Sequence, residues 1–166
     1  MVWYHGSMIY SMDKTNLLRW LVEQKEPAGM FHQVNCFHTM GAGIARQIAL
    51  KFPEAYDADK DTPYGVRSKL GTFSFTEAKD YPNKFIYNLY SQFTIGHGKQ
   101  TLYDSVAEGL EKIRIHAISK GLTKLGMPYN MGCTLGGGNW SIVKAIVNSV
   151  FLEDPEIDLY ICKYEP

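Results

Sequence analysis

The chain has 166 residues, within the range of a single domain that buries a sizeable core without a partner, so one domain over 1–166 and a monomer are expected. Lysine plus arginine and aspartate plus glutamate each total 17, a formal charge of zero, which disfavours a polynucleotide ligand but leaves an anionic small molecule open, because oriented backbone N–H groups hold phosphate without net positive charge. Cys36, Cys133 and Cys162 form no Cys-x-x-Cys pair and point to a reducing, cytoplasmic compartment, and no apolar run is long enough for a signal peptide or membrane span.

In chain order, Val2 to Tyr4 reads as a short strand and Asn16 to Glu23 as a helix with Leu17, Leu18, Leu21 and Val22 on its apolar side. Met30 to Val34 reads as a buried strand running into Asn35 to Gly41, and Ile44 to Phe52 as a helix that stops before Pro53. The charged stretch Glu54 to Lys69, with Pro63 and Gly65, reads as an exposed excursion holding about one helical turn. Gly71 to Thr76 and Phe85 to Tyr90, joined by the polar turn Lys79 to Asn83, suit an antiparallel hairpin, which makes the sheet mixed. Thr101 to Lys120 is the clearest helix: Tyr103, Val106, Leu110, Ile113 and Ala117 share a face, Thr101 and Asp104 resemble a capping box, and Gly121 suits a C-cap. Thr123 to Met127 is a short strand, Gly132 to Asn139 a glycine turn, Trp140 to Phe151 a helix with both end residues in the core, and Asp158 to Lys163 a last strand. The fold class is α/β.

A strand, glycine turn and helix thus occur twice. Both loops, Met40 to Ala45 and Gly132 to Asn139, fall where α/β sheets bind ligands when the strands are parallel. Glycines let backbone N–H groups approach a pyrophosphate, and the following helix adds partial positive charge; the plainer reading of Gly136 to Gly138 is a tight structural turn. Gly41-Ala-Gly43-Ile-Ala-Arg46 departs from the dinucleotide fingerprint at Arg46, and no Walker lysine follows the Gly132 loop. The positions where a cysteine phosphatase has its arginine hold Ala42 and Asn139, so Cys36 and Cys133 default to packing. His32, Cys36 and His38 lack a fourth ligand, so neither a metal nor a cofactor is expected.

Together, His32-Gln-Val-Asn35-Cys, Met40-Gly-Ala-Gly-Ile-Ala45, Met127-Pro128 and Gly132-Cys-Thr-Leu-Gly-Gly-Gly-Asn-Trp140 resemble a macro domain in order and spacing, from Gly6-Ser7 to the last strand. The similarity is to the small stand-alone branch of ADP-ribose-1''-phosphate phosphatases and terminal ADP-ribose protein glycohydrolases, phage and bacterial members included. It implies a three-layer α/β/α sandwich with a mixed central sheet, and ADP-ribose or ADP-ribose-1''-phosphate as the small-molecule ligand. On the resemblance, Asn35 meets the distal ribose and Met40, Gly41, Ala42, Gly43 and Ile44 surround one phosphate with that ribose. Cys133, Thr134, Leu135, Gly136, Gly137, Gly138 and Asn139 close over the other phosphate. Ser7 stands where many members have an aspartate that accepts from the adenine amine, and Tyr164 or Phe93 is the candidate to stack on adenine.

The catalytic lysine and aspartate of the glycohydrolase members fall at Gln92 and Gly136, so the covalent-lysine route is absent on this reading. The phosphatase members' histidine falls at His32, which makes proton transfer by His32 beside Asn35, on the terminal phosphate of ADP-ribose-1''-phosphate, the leading expectation. His97, in Gly96-His-Gly98, is placed at that phosphate, with Lys99 adding charge. The alternatives are that His32 only ends a buried strand in a non-catalytic binding module, and that the chain removes ADP-ribose from modified macromolecules with water.

Overall fold

A computed structural model of the chain describes residues 7–96, 98–152 and 156–164. The elements are β1 (Ile9–Asp13), α1 (Leu17–Glu23), β2 (Ala28–Val34), α2 (Gly43–Lys51), α3 (Pro53–Lys60), a 3-10 turn (Arg67–Lys69), β3 (Phe73–Glu77), β4 (Lys84–Tyr90), α4 (Tyr103–Ser119), β5 (Lys124–Pro128), α5 (Trp140–Phe151) and β6 (Asp158–Lys163). The strands form one mixed sheet in the order β1-β6-β5-β2-β4-β3, parallel at every pairing except β3 with β4.

Alternation along each strand sends neighbouring side chains to opposite faces, and the core is split accordingly. Phe31 and Leu125 join Val106, Leu110 and Ile113 of α4 and Val143, Val147 and Phe151 of α5 on one face. Met30 and Ile86 join Leu17 and Leu21 of α1, Ile48 of α2 and Ala55 of α3 on the other. The result is a three-layer α/β/α sandwich. Among the described residues no helix is long and apolar enough to cross a membrane.

Three sequence expectations need correction. The stretch from Glu54 to Lys69 carries a helix as well as the 3-10 turn, with Ala55 and Asp59 fully buried beneath it; its inward face is too short and too polar to show as an apolar stripe. Thr101 does not cap α4, whose N-cap is Leu102 with no side-chain bond; Thr101 is fully buried and donates instead to the Gly132 carbonyl. Strand β1 went unread because it lies at the sheet edge with mixed burial, where Tyr10 stacks on Tyr160 at 4.8 Å. The strand expected over Val2 to Tyr4 falls outside the described residues.

Phe151 is fully buried and lies parallel to Phe31 across the α5 layer, ring centroids 6.0 Å apart. Replacing it leaves a cavity that neighbouring rings cannot refill, so Phe151→Ala is expected to lower stability by about 3–5 kcal/mol, measured by urea unfolding. A loss under about 1 kcal/mol would contradict this packing.

Candidate functional site

Strands β2 and β5 are parallel neighbours, yet the chain leaves β2 for α2 on one face of the sheet and β5 for α5 on the other. A crevice opens at their carboxyl ends where the connections diverge. Its volume is about 480 Å³, within the range of small-molecule sites.

The first wall is the β2–α2 loop. Asn35 folds it: the side-chain oxygen accepts from the Phe37 N–H at 2.9 Å and the amide nitrogen donates to the Thr39 carbonyl at 3.1 Å. The N-cap of α2 is Ala42, which offers no side-chain bond, and no acidic residue lies in the first turn. The N–H groups of Gly43, Ile44 and Ala45 therefore have no acceptor among the described residues, and all three residues line the crevice. A bare helix N-terminus of this kind favours an anion.

The second wall is the β5–α5 loop, whose carbonyls are tied back into the protein. Gly132 O accepts from Gly138 N at 2.8 Å and Thr101 Oγ1 at 2.6 Å, while Gly136 O accepts from Gln100 N at 2.7 Å and Thr101 N at 3.1 Å. Between these anchors, the N–H groups of Thr134, Leu135 and Gly136 have no acceptor among the described residues. A Cβ at Gly136 would stand 2.6 Å from Thr101 Oγ1 and 2.7 Å from the Gly132 carbonyl, so the loop closes this tightly only with glycine there. Leu135, 68% exposed, approaches Gly43, where a Cβ would stand 3.6 Å from its Cδ1, so the two loops come close.

Under both walls lies a neutral amide and hydroxyl network. Gln33 Nε2 donates to Gln92 Oε1 at 3.0 Å and to Thr101 Oγ1 at 2.9 Å, Ser91 Oγ donates to Gln33 Oε1 at 2.7 Å, and Gln92 Nε2 donates to the Thr94 carbonyl at 2.8 Å. No Asp, Glu, Lys, Arg, His or Cys is among the described residues that line the crevice. A shallower hollow of about 350 Å³ continues past Ile44 and Tyr129 to Asn16, Gln47 and Tyr164.

Of the residues singled out in the sequence, Asn35, Gly41, Ala42, Gly43, Ile44, Gln92, Thr134, Leu135 and Gly136 converge on this crevice. Met40 is buried with α1 and α2, and Cys133 packs against the α4–α5 core. Gly137 and Gly138 shape the loop from behind, Gly137 lying against the Gly98 carbonyl, and Asn139 caps α5 by accepting from Ser141 N at 2.9 Å. Phe93 lies under the Arg67 guanidinium at 4.1 Å, away from the crevice, whereas Tyr164 lines the shallower hollow. Lys99 holds its ammonium over the Tyr103 ring at 4.1 Å, outside the crevice lining. His97 falls outside the described residues.

Two placements depart from expectation. Ser7 precedes β1 at the amino ends of the parallel strands, opposite the crevice, where its hydroxyl donates to the Phe151 carbonyl; it is in no position to meet an adenine in the crevice. His32 is fully buried on the α3 side of the sheet and does not line the crevice. Its Nε2 pairs with Asn88 Oδ1 at 2.7 Å, and Asn88 Nδ2 in turn donates to the Ala55 carbonyl at 2.9 Å and to Ser74 Oγ at 3.0 Å. Burial pushes its pKa down to about 4 against the opposing Asn88 bond, so the ring is neutral near pH 7. The strand's alternation turns Gln33, not His32, toward the site. His38 stands apart from His32, its Nε2 bound to the Thr62 carbonyl at 2.8 Å, and no cluster of His, Cys, Asp and Glu that could hold a metal occurs among the described residues. Sequence reasoning missed Gln33, Thr101, Tyr129 and Asn130. The polar pair His32-Gln33 just before the end of a largely apolar strand was the one signal for Gln33.

A family model for the Macro domain matches residues 31–147. This chain is a member of the macro domain family. An uncharacterized 17.5 kDa protein of Enterobacteria phage T4, from the tk-vs intergenic region, is 30% identical over 161 residues, 96% of this chain and 99% of that protein. The ADP-ribose glycohydrolase OARD1 of Homo sapiens is 28% identical over 122 residues, 73% of each chain. Among solved structures, the macrodomain of Mycobacterium tuberculosis DarG superposes with a TM-score of 0.72 at 20% identity, covering 97% of this chain and 100% of that one. The likeness in structure carries the fold of the macro domain; the crevice above is this macro domain's own.

The buried histidine has a measurable consequence. Its folded pKa, about 4, lies below the unfolded value near 6.5, so unfolding takes up a proton between those limits. Its share of stability is present above about pH 6.5 and is withdrawn as pH falls to 4, about 3 kcal/mol at about 1.4 kcal/mol per unit. Urea unfolding of the wild type at pH 7 and pH 4 is expected to show this loss, and His32→Gln to lack it. Equal pH slopes in the two proteins would contradict the buried, neutral assignment.

Proposed function

We propose that this macro domain is an ADP-ribose binding module. The observation that carries the reading is the convergence on one crevice of two sets of unclaimed backbone N–H groups, Gly43 to Ala45 and Thr134 to Gly136, with no charged side chain among the described lining residues. A diphosphate spanning the loops would take donors from both, and Asn35 on the floor would meet the distal ribose. The base would then fall in the continuing hollow beside Tyr129 and Tyr164. The family, and the relative named as an ADP-ribose glycohydrolase, support ADP-ribose as the ligand.

Binding is favoured over catalysis because the described crevice lining offers no group suited to proton transfer near neutral pH. On the resemblance, Gln92 and Gly136 stand where glycohydrolase members carry their lysine and aspartate, and a Cβ at Gly136 would lie within 2.7 Å of Thr101 Oγ1 and the Gly132 carbonyl. The second reading is hydrolysis by water, of the terminal phosphate of ADP-ribose-1''-phosphate or of an ADP-ribose link to a macromolecule. The 28% identity to OARD1 favours it, and loop amides aimed at a phosphoryl group would stabilise charge developing there.

Titration calorimetry is expected to show ADP-ribose binding that weakens by less than about threefold between 50 and 500 mM salt, because dipoles and not side-chain charges hold the diphosphate. ADP-ribose-1''-phosphate is expected to bind no more tightly, and orthophosphate release from it to stay at the uncatalysed level. Turnover of that substrate would establish the hydrolytic reading, and failure to bind ADP-ribose would overturn both.

A further inference from the structure

We infer that Thr101 is a positioning residue that presets the second glycine loop for the ligand's diphosphate, an inference that rests on the ADP-ribose reading of the same crevice. Thr101 is fully buried and lies outside the crevice lining. It clamps both ends of the arc that carries the unclaimed amides: its hydroxyl donates to Gly132 O at 2.6 Å and its backbone N–H to Gly136 O at 3.1 Å. The hydroxyl has one proton to give: Gln33 Nε2 donates to the same oxygen at 2.9 Å, which leaves that proton for a carbonyl, and Gly132 O at 2.6 Å is the nearer acceptor, with Gly136 O at 3.4 Å. An antiparallel bridge to Gln92 fixes the Thr101 backbone beside the strand end.

The loop is moulded on this side chain together with Gln33, which lies 2.8 Å from where a Cβ on Gly132 or Gly136 would stand. A Cβ on Gly136 would stand 2.6 Å from Thr101 Oγ1, one on Gly132 2.8 Å from the same atom, and one on Gly138 3.2 Å from Thr101 Cβ. Glycine lets the backbone lie against Thr101, and Thr101 decides which way the peptide groups at the two ends of the arc turn. With both carbonyls held inward, the peptides between them leave N–H groups for the ligand. Without the hydroxyl, the Gly132 carbonyl loses a partner and the arc gains the freedom to present carbonyl oxygens to phosphate, an electrostatically unfavourable pairing. Binding then carries the cost of ordering the loop.

The test compares Thr101→Val, which keeps the shape and removes the hydroxyl, with Thr101→Ser, which keeps the hydroxyl. Hydrogen exchange of the ligand-free proteins reads the Gly138 amide, which is bonded to Gly132 O, and calorimetry reads ADP-ribose affinity. Thr101→Val is expected to exchange at Gly138 about tenfold faster or more and to lose about tenfold or more in affinity, with Thr101→Ser restoring both to within about threefold. Should Thr101→Val fail to fold, Gln33→Leu, which removes the donor that orients the hydroxyl, is read in the same way with the same expected direction. Wild-type exchange and affinity in the valine protein, or no rescue by serine, would overturn the positioning role. A wild-type protein that does not bind ADP-ribose would overturn the ligand reading, and the exchange measurement would still decide whether Thr101 sets the loop.

Discussion

The hydrogen bond from Gln33 to the Thr101 hydroxyl, 2.9 Å long, joins segments that are far apart in the chain: the end of β2, the approach to α4, and through Gly132 the loop after β5. A typical bond of this sort contributes about 1 kcal/mol to net stability, far less than the loss of a core ring such as Phe151. Its consequence is directional. It holds the hydroxyl that engages the Gly132 carbonyl, and with the Gly132 and Gly136 carbonyls taken the N–H groups of Thr134 to Gly136 are left unclaimed, the imbalance on which the proposed anion site rests. The fold can carry such a network because β2 and β4 are buried along most of their length and the Ser91 and Thr101 hydroxyls beneath the crevice are fully buried.

A crevice lined by neutral groups holds an anion differently from one built on arginine or lysine. The donors are fixed in the backbone, they cost little reorganisation when a ligand arrives, and a helix end contributes about 0.3–1 kcal/mol per charge nearby. The same neutrality limits chemistry. His32, the imidazole that the spacing of the first motif placed beside Asn35, is sealed under α3 and serves Asn88, so its contribution is to the layer behind the sheet. Asp59, another fully buried ionisable residue in that layer, is likewise engaged away from the crevice, accepting from the Tyr90 hydroxyl at 2.6 Å.

Much of this was legible in the sequence for physical reasons. The apolar runs ending at Val34 and Met127 identify strands buried on both faces, the glycines after them mark sharp turns, and the spacing of Val143, Val147 and Phe151 gives α5 its inward face. The antiparallel β3–β4 pair followed from the polar turn between them. What stayed hidden depends on three-dimensional neighbours. Alternation says that His32 and Gln33 face opposite ways, but only the topology says which way the crevice lies. The cap-like pattern at Thr101 and Asp104 is a local signal overridden by tertiary burial. Ser7 matched a motif by order in the chain, whereas the parallel pairing of β1 with β6 puts it at the far end of the sheet.

The central claim is that the unclaimed amides of the two loops hold the diphosphate, and an amide-resolved NMR titration with ADP-ribose addresses it directly. Saturable shifts at Gly43, Ile44, Ala45, Thr134, Leu135 and Gly136, with His32 and Asn88 little changed, are the result this account requires. Saturable binding that leaves those amides unmoved, or that centres on residues outside the crevice, would contradict it.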